Sequence, residues 1–206
     1  MIAALFALTL LDPALQPVEF ELGFKKGQRL TYEMKWYSPN GGGGTYSGEL
    51  VLEVTGVDDK GFTIMCSAVE SAPKGERPGG GEARLLRDGT ITHFSNGSST
   101  ASVLIGMLLP SAPIEVSGEY KVKSKFRSLD LDLTGKLVAI DGANAKFHLV
   151  GSMGSQHGFE QYEFDIKSVF DRDRGLFTSI RMDIVQEGPG DSTSKHWASL
   201  RLLKSE

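Results

Sequence analysis

The stretch RLTYEMKW, from Arg29 to Trp36, alternates polar and apolar residues without interruption. Side chains of a β-strand point alternately to opposite faces, so a two-residue repeat predicts a strand with one face in the core and one in water. The same alternation recurs along the chain, between turns that contain glycine or aspartate. The sequence therefore predicts a mainly β protein, with roughly eleven strands in a large antiparallel curved sheet or half-barrel.

The predicted strands follow one another closely, which is typical of an antiparallel meander. Asp88-Gly89 and Asp141-Gly142 are strong signals for short hairpin turns. The segment 71–81, SAPKGERPGGG, is rich in proline and glycine and is predicted to be a loop. The strands are expected at 18–22, 29–37, 46–57, 62–70, 84–87, 90–94, 120–129, 131–140, 145–151, 159–170, 176–186 and 193–203.

One segment, SSTASVLIGMLL at 98–109, departs from the two-residue repeat. It begins with Ser and Thr residues, which favour a helix N-cap, and it ends before Pro110. Its apolar residues follow helical spacing, and the segment is apolar nearly all round, so we expect one short helix packed on the sheet. Such a helix is compatible with an ordinary core and with a lid over a hydrophobic cavity.

The apolar stretch from Ile2 to Leu11 predicts a signal peptide at 1–16, ahead of a single β-rich domain at 17–206. The stretch is shorter than the about 20 residues that cross a bilayer, so no transmembrane segment is predicted. It lacks a preceding Lys or Arg and a clear cleavage site, and the alternative is a buried strand or short helix. A signal peptide implies a periplasmic or extracellular protein.

Composition argues against several classes of function. The net charge of −4 gives no general reason to bind nucleic acid. Cys66 is the only cysteine, so an intramolecular disulfide and a cysteine-based zinc site are excluded, and we expect Cys66 in the core. The four histidines are scattered without metal-ligand spacing, so neither a metal site nor a cofactor is predicted.

No pattern of catalytic residues stands out. Ser-x-x-Lys occurs at 71–74 and 192–195, but in loop or strand contexts, where residues i and i+3 face opposite ways. The glycine run 41–44 lacks the lysine and the helix of a phosphate-binding loop. We therefore predict no catalytic residue; a hydrolase would need Ser and His side chains brought together from distant strands.

Basic residues alternate with other residues in EYKVKSKFR, at 119–127. The two-residue repeat places these cations on one face of a strand, where they are candidates for contact with an anionic surface such as lipid headgroups. The alternative is cross-strand pairing with acidic residues such as Asp130 and Asp132. The predicted surface consists of Lys121, Lys123, Lys125 and Arg127.

Three segments carry a family resemblance: GQRLTYEMKW at 27–36, LLPSAPIEVSGEY at 108–120 and SVFDRDRGLFTSIRMD at 168–183. They resemble secreted bacterial β-rich domains of unknown function. More distantly, a curved meander closed by an apolar helix is similar to the half-barrel of periplasmic lipoprotein carriers. The resemblance implies a cell-envelope protein with a concave apolar groove, and it transfers no functional residue.

The leading hypothesis is a secreted cell-envelope domain, without enzyme activity, that binds an apolar or amphipathic ligand between the curved sheet and the 98–109 segment. Lipid and lipoprotein are the partners that this hypothesis suggests. The alternative is an envelope interaction or scaffold domain with a solid core and no ligand. The predicted ligand-binding residues are Trp36, Leu104, Met107 and Leu108.

Overall fold

All strands of the computed structural model belong to one antiparallel sheet. The structure describes residues 16–39, 44–72, 75–95, 103–126, 129–154, 161–188 and 192–206. This part of the chain contains eleven strands. The mainly β, antiparallel fold class is confirmed. The strands are β1 Arg29–Ser38, β2 Gly44–Val57, β3 Gly61–Ala72, β4 Gly75–Leu86, β5 Ile91–Phe94, β6 Glu119–Phe126, β7 Leu129–Asp141, β8 Asn144–Gly154, β9 Gln161–Asp171, β10 Leu176–Glu187 and β11 Thr193–Ser205.

The sheet is a nearly closed barrel. Strands β1 to β5 form one meander and β6 to β11 form a second, and the pairing of β1 with β11 joins the two. The outer strands of this order, β5 and β6, come within 8 Å of each other between Cα atoms. This closure gives every strand an inner face that is turned towards the opposite side of the barrel.

The inner faces of the strands form the hydrophobic core. Along β1, Leu30, Tyr32 and Met34 are buried, as their alternation predicts. The Tyr32 hydroxyl donates a hydrogen bond of 3.0 Å to the Phe177 carbonyl, and burial raises the pKa of Tyr32. Cys66 is also buried in the core, and burial raises the pKa of its thiol to about 12.

One end of the barrel, here called the closed end, carries the turns at 58–60, 87–90, 142–143 and 172–175. The segment 18–24 (VEFELGF) crosses this end, and its amide groups bond to the turns: Leu22 N–H donates to the Arg87 carbonyl and Gly23 N–H to the Gly175 carbonyl. The Phe20 ring packs edge-to-face on Phe147, with 5.0 Å between ring centroids. This segment therefore seals the closed end.

The prediction of a strand at 18–22 is wrong. Within the described residues, this segment pairs only through an isolated bridge between Val18 and Ile114. Its residues alternate between buried and exposed because the segment has the barrel interior on one side and solvent on the other. A two-residue repeat indicates a segment with apolar surroundings on one side and water on the other. The 18–24 segment, which plugs the end of the barrel, has these surroundings in common with a strand of a sheet.

The predicted helix at 98–109 is not confirmed. Residues 98–102 lie outside the described part of the chain, Val103 and Leu104 are helical, Ile105–Met107 form a 3-10 turn, and Leu108 is extended, with φ −82° and ψ 131°. Leu109 N–H bonds to the Asp88 carbonyl at the closed end instead of continuing a helix. The segment is nevertheless buried throughout 103–110, as its apolar composition predicts.

The prediction of a loop at 71–81 is also wrong. β3 continues to residue 72 and β4 begins at residue 75, so most of this segment belongs to a β-ladder. Gly80 approaches the Cys66 carbonyl so closely that a Cβ atom would collide with it. Pro78 is tolerated because β5, in the described structure, pairs with β4 only at 83–85. Pro78 therefore fits an unpaired strand edge, and Gly80 fits a close approach of two backbones.

The packing of the 18–24 segment is tested by Phe20→Ala. The substitution removes a buried ring from between Phe147 and Phe170, so we expect the free energy of unfolding to fall by about 3–5 kcal/mol. Glu19→Ala, at the exposed neighbouring position, should change it by less than about 0.5 kcal/mol. Urea denaturation measures both, and equal, small effects would show that the segment does not pack on the barrel.

Candidate functional site

Side chains fill the space beneath the 103–110 segment almost completely. Leu104 and Met107 have no exposed surface, and Leu108 is 2% exposed. The void bordered by Ile105, Leu108 and Leu131 measures about 10 Å³, which is the space of about one water molecule. Three of the four predicted ligand-binding residues therefore lie in packed core.

The inner face is less buried towards the opposite end, here called the distal end. Along β1, exposure rises from Met34, which is 4% exposed, to Trp36, which is half-buried. The same change occurs along β10, from Met182 to the half-buried Ile184. We use the name distal wall for the half-buried apolar and aromatic side chains of this region. The distal wall consists of Trp36, Tyr46, Leu129, Tyr162 and Ile184.

Trp36 forms an aromatic platform in the distal wall. Its ring stacks on that of Tyr46, its cross-strand neighbour on β2, with 5.4 Å between centroids and 19° between planes. On its other side, β11 places the small Ala198 opposite Trp36, and Met182 follows on β10. The small alanine leaves one side of the indole ring without a bulky cross-strand neighbour, so a ring or chain of a ligand has apolar surface to contact.

Polar side chains lie beside the distal wall on the inner faces of β10 and β11. Ser194 Oγ and His196 Nε2 are 2.9 Å apart, and Gln186 Nε2 donates to the Tyr162 hydroxyl at 3.4 Å. Burial lowers the pKa of His196, which keeps its ring neutral near pH 7. In the described structure no carboxylate bonds to His196, so the Ser194–His196 pair lacks the orienting acid of a catalytic triad.

The basic residues of β6 lie on the outer face, where acidic residues of β7 meet them. Lys123 Nζ lies 3.0 Å from Asp132, and Lys125 Nζ lies 3.6 Å from Asp130. Lys121 Nζ bonds to a threonine hydroxyl on β7, and Arg127 lies outside the described residues. Cross-strand pairing, one of the two interpretations of this pattern, is therefore present in the structure.

No signature of a known site or family accompanies this geometry. Of the residues that the structure describes, no group of three or more His, Cys, Asp or Glu side chains is placed to hold a metal ion. A helix long and apolar enough to cross a membrane is also absent from that part of the chain. No protein-family model matches the chain, and a search of curated proteins found no match.

The distal wall includes residues that the sequence did not single out. Trp36 was predicted, but Tyr46, Leu129, Tyr162 and Ile184 were missed because they come from different strands. Each is an apolar residue in an ordinary alternating run, so spacing along one strand does not distinguish it from core. The signal lies in the register: Tyr46 is directly opposite Trp36.

His196 should make stability depend on pH. Because its pKa is lower in the folded protein than the ordinary value of 6.5, the unfolded chain takes up the proton more readily. Its contribution is fully present above pH 6.5 and is lost as the pH falls below that value. We expect the stability difference between wild type and His196→Gln to shift in favour of the variant on acidification.

Thermal melting of both proteins between about pH 5 and pH 8 measures this effect. The comparison cancels the contributions of carboxylates that both proteins share. A difference in melting temperature that stays constant across this range would contradict burial of the His196 ring.

Proposed function

We propose that the protein binds an apolar or amphipathic ligand inside the distal half of the barrel, against the distal wall. The observation that carries this proposal is the gradient of burial along the inner face, which is packed at the closed end and partly exposed around Trp36 and Ile184 at the distal end. The proposed site is displaced from the one that the sequence predicts. Leu104, Met107 and Leu108 form its floor, and Trp36 contacts the ligand.

The size of the barrel supports this proposal. About eight strands give an interior that side chains can fill or that holds one small ligand, and the diameter grows with the number of strands. Here eleven strands enclose the interior, and two additional segments, 18–24 and 103–110, fill the closed end. The described residues supply no equivalent filling segment beside Trp36 and Tyr46.

The chemistry of the distal wall favours a ligand with an apolar body and a neutral polar group. Apolar contact with the wall contributes about 25 cal/mol for each Å² removed from water. Ser194, Gln186 and the neutral His196 supply hydrogen-bonding groups beside it. A mixed wall of this kind fits lipid-like molecules better than ions.

The location of the protein is part of the proposal. The apolar stretch from Ile2 to Leu11 supports secretion and, with it, a role in the periplasm or outside the cell. Residues 1–15 lie outside the described part of the chain, so this support comes from sequence alone. A secreted carrier of apolar molecules would also match the resemblance to lipoprotein carriers.

The second candidate is an interaction or scaffold domain without a ligand. The packed closed end favours it, because the void next to Ile105 and Leu108 holds about one water molecule. Exposed apolar side chains on the outer face, Val138 at 47% and Val150 at 43%, would then contribute to a protein contact. This candidate predicts that the barrel takes up no apolar molecule.

A neutral brominated monoacylglycerol distinguishes the two candidates, because bromine quenches nearby tryptophan fluorescence. The chain has two tryptophans, so Trp197→Phe leaves Trp36 as the reporter inside the barrel. We expect saturable quenching of Trp36 and no quenching by the unbrominated lipid. Ile184→Asn should weaken binding about tenfold by placing an amide in the distal wall.

Val150→Asn is the matched control, because the same amide then lies on the exposed outer face and should leave binding unchanged. Native mass spectrometry of the purified protein provides an independent check for lipid that remains bound. Absence of both Trp36 quenching and bound lipid would reject ligand binding and favour the scaffold candidate. Equal effects of the two asparagine substitutions would place the lipid outside the distal wall.

A further inference from the structure

Basic side chains from neighbouring strands form a row across the outer face of the barrel. Arg181 on β10 is directly opposite Lys167 on β9, Lys167 is opposite His148 on β8, and His148 is opposite Lys136 on β7. Adjacent strands lie about 4.8 Å apart, so the like charges of Arg181 and Lys167, which are directly opposite one another, destabilise the sheet. The row ends at Glu119, which is opposite Lys136 on β6.

Three carboxylates lie beside the Arg and Lys side chains of this row, and Glu119 is one of them. Asp183 pairs with Arg181 at 2.7 Å, and Asp165 contacts both His148 at 2.9 Å and Lys167 at 3.9 Å. Asp165 is therefore shared between two basic groups. Lys146, which is exposed two residues before His148, has no carboxylate within 4 Å in the described structure. Lys146 is therefore a cation that the described part of the outer face leaves without an acidic partner.

Four basic residues line a cleft of about 520 Å³, here called the basic cleft. Its volume lies within the range of small-molecule sites, about 300–1,000 Å³. The side chains of Val138 and Val169 give it apolar surface, and no carboxylate lines it. Its basic and hydroxyl lining residues are Lys146, His148, Lys167, Arg181, Ser168, Ser179 and Ser199.

Two β-bulges account for a hollow at this position. The register shifts between Leu137 and Ala139 on β7, and again between Phe177 and Ser179 on β10. A bulge bends its strand and increases the local twist, so two of them on either side of β8 and β9 deform an otherwise convex face. The β7 bulge also leaves Val138 exposed at the edge of the cleft.

We propose that the basic cleft binds a single anionic amphiphile. Its phosphate or carboxylate group lies between Lys146 and Lys167, which are diagonal neighbours on β8 and β9 and reach one anion together. Its apolar chain lies along Val138 and Val169. The anion relieves the repulsion within the row. A planar membrane does not fit, because a flat surface contacts the rim of a cleft and leaves its floor empty.

Decyl phosphate, below its micelle concentration, tests this proposal by isothermal titration calorimetry. Inorganic phosphate tests the head group alone, and decyl glucoside tests a neutral amphiphile. In the Ile184→Asn variant, which weakens binding at the distal wall, we expect one site for decyl phosphate, binding of inorganic phosphate at least about tenfold weaker, and no binding of decyl glucoside. Equal binding of inorganic phosphate or of decyl glucoside would overturn the proposal, as would the absence of decyl phosphate binding.

A pair of double variants locates the site. Lys146→Gln with Lys167→Gln should weaken decyl phosphate binding about tenfold or more, because both charge-assisted contacts are lost. Lys123→Gln with Lys125→Gln makes the same change in net charge on β6 and should change binding less than about twofold. Equal losses in the two variants would show non-specific attraction, and no loss in either would place the amphiphile elsewhere. Both results reject the proposal.

The fluorescence of Trp197 distinguishes binding at the basic cleft from binding inside the barrel. The Arg181 guanidinium lies over the Trp197 ring, 4.3 Å from its centroid, so an anion at the cleft should shift Trp197 emission in the Trp36→Phe variant. Ile184→Asn should leave decyl phosphate binding unchanged, because Ile184 is on the opposite face of the sheet. A loss of binding in that variant would assign the amphiphile to the distal wall and overturn the basic cleft.

Discussion

The structure depends on the antiparallel pairing of β1 with β11. Backbone bonds of 2.9 Å run in both directions between Arg29 and Glu206, and the side chains of Gln28 and Ser205 are also bonded at 2.9 Å. Without this ladder, the two meanders would be separate sheets, each with an additional exposed edge. Joined, they surround an interior, and both the packed end and the distal wall follow from that enclosure.

Local physical rules explain how much of the fold was predictable. Leu30 and Tyr32 identify a strand because alternation reports burial on one side, and nearly all strands follow from this rule. Phe20 satisfies the same rule in a plug, because alternation carries no information about hydrogen-bond partners. For 103–110, composition predicts burial, whereas the backbone conformation depends on contacts with a turn distant in sequence, such as the bond of Leu109 to Asp88.

The same distinction applies to the candidate sites. The basic residues of β6 are visible in one strand, and the structure pairs Lys123 and Lys125 with acidic residues of β7. By contrast, Arg181 and Lys167 are the only basic residues of their strands, and they meet Lys146 and His148 of β8 only through the register of three strands. The charge on one face of a sheet depends on which strands are paired. Spacing along one strand therefore shows the basic residues of β6 but not their acidic partners, and it does not show that the basic residues of β8, β9 and β10 lie together.

The position of β11 in the chain also constrains when the barrel closes. Its ladder with β1 joins residues separated by most of the chain, and such non-local contacts form late because a long loop must first be closed. Until β11 has been synthesised, β1 has an unsatisfied edge and the apolar lining is open to water. Edge-to-edge aggregation is therefore a hazard for this chain before β11 is in place.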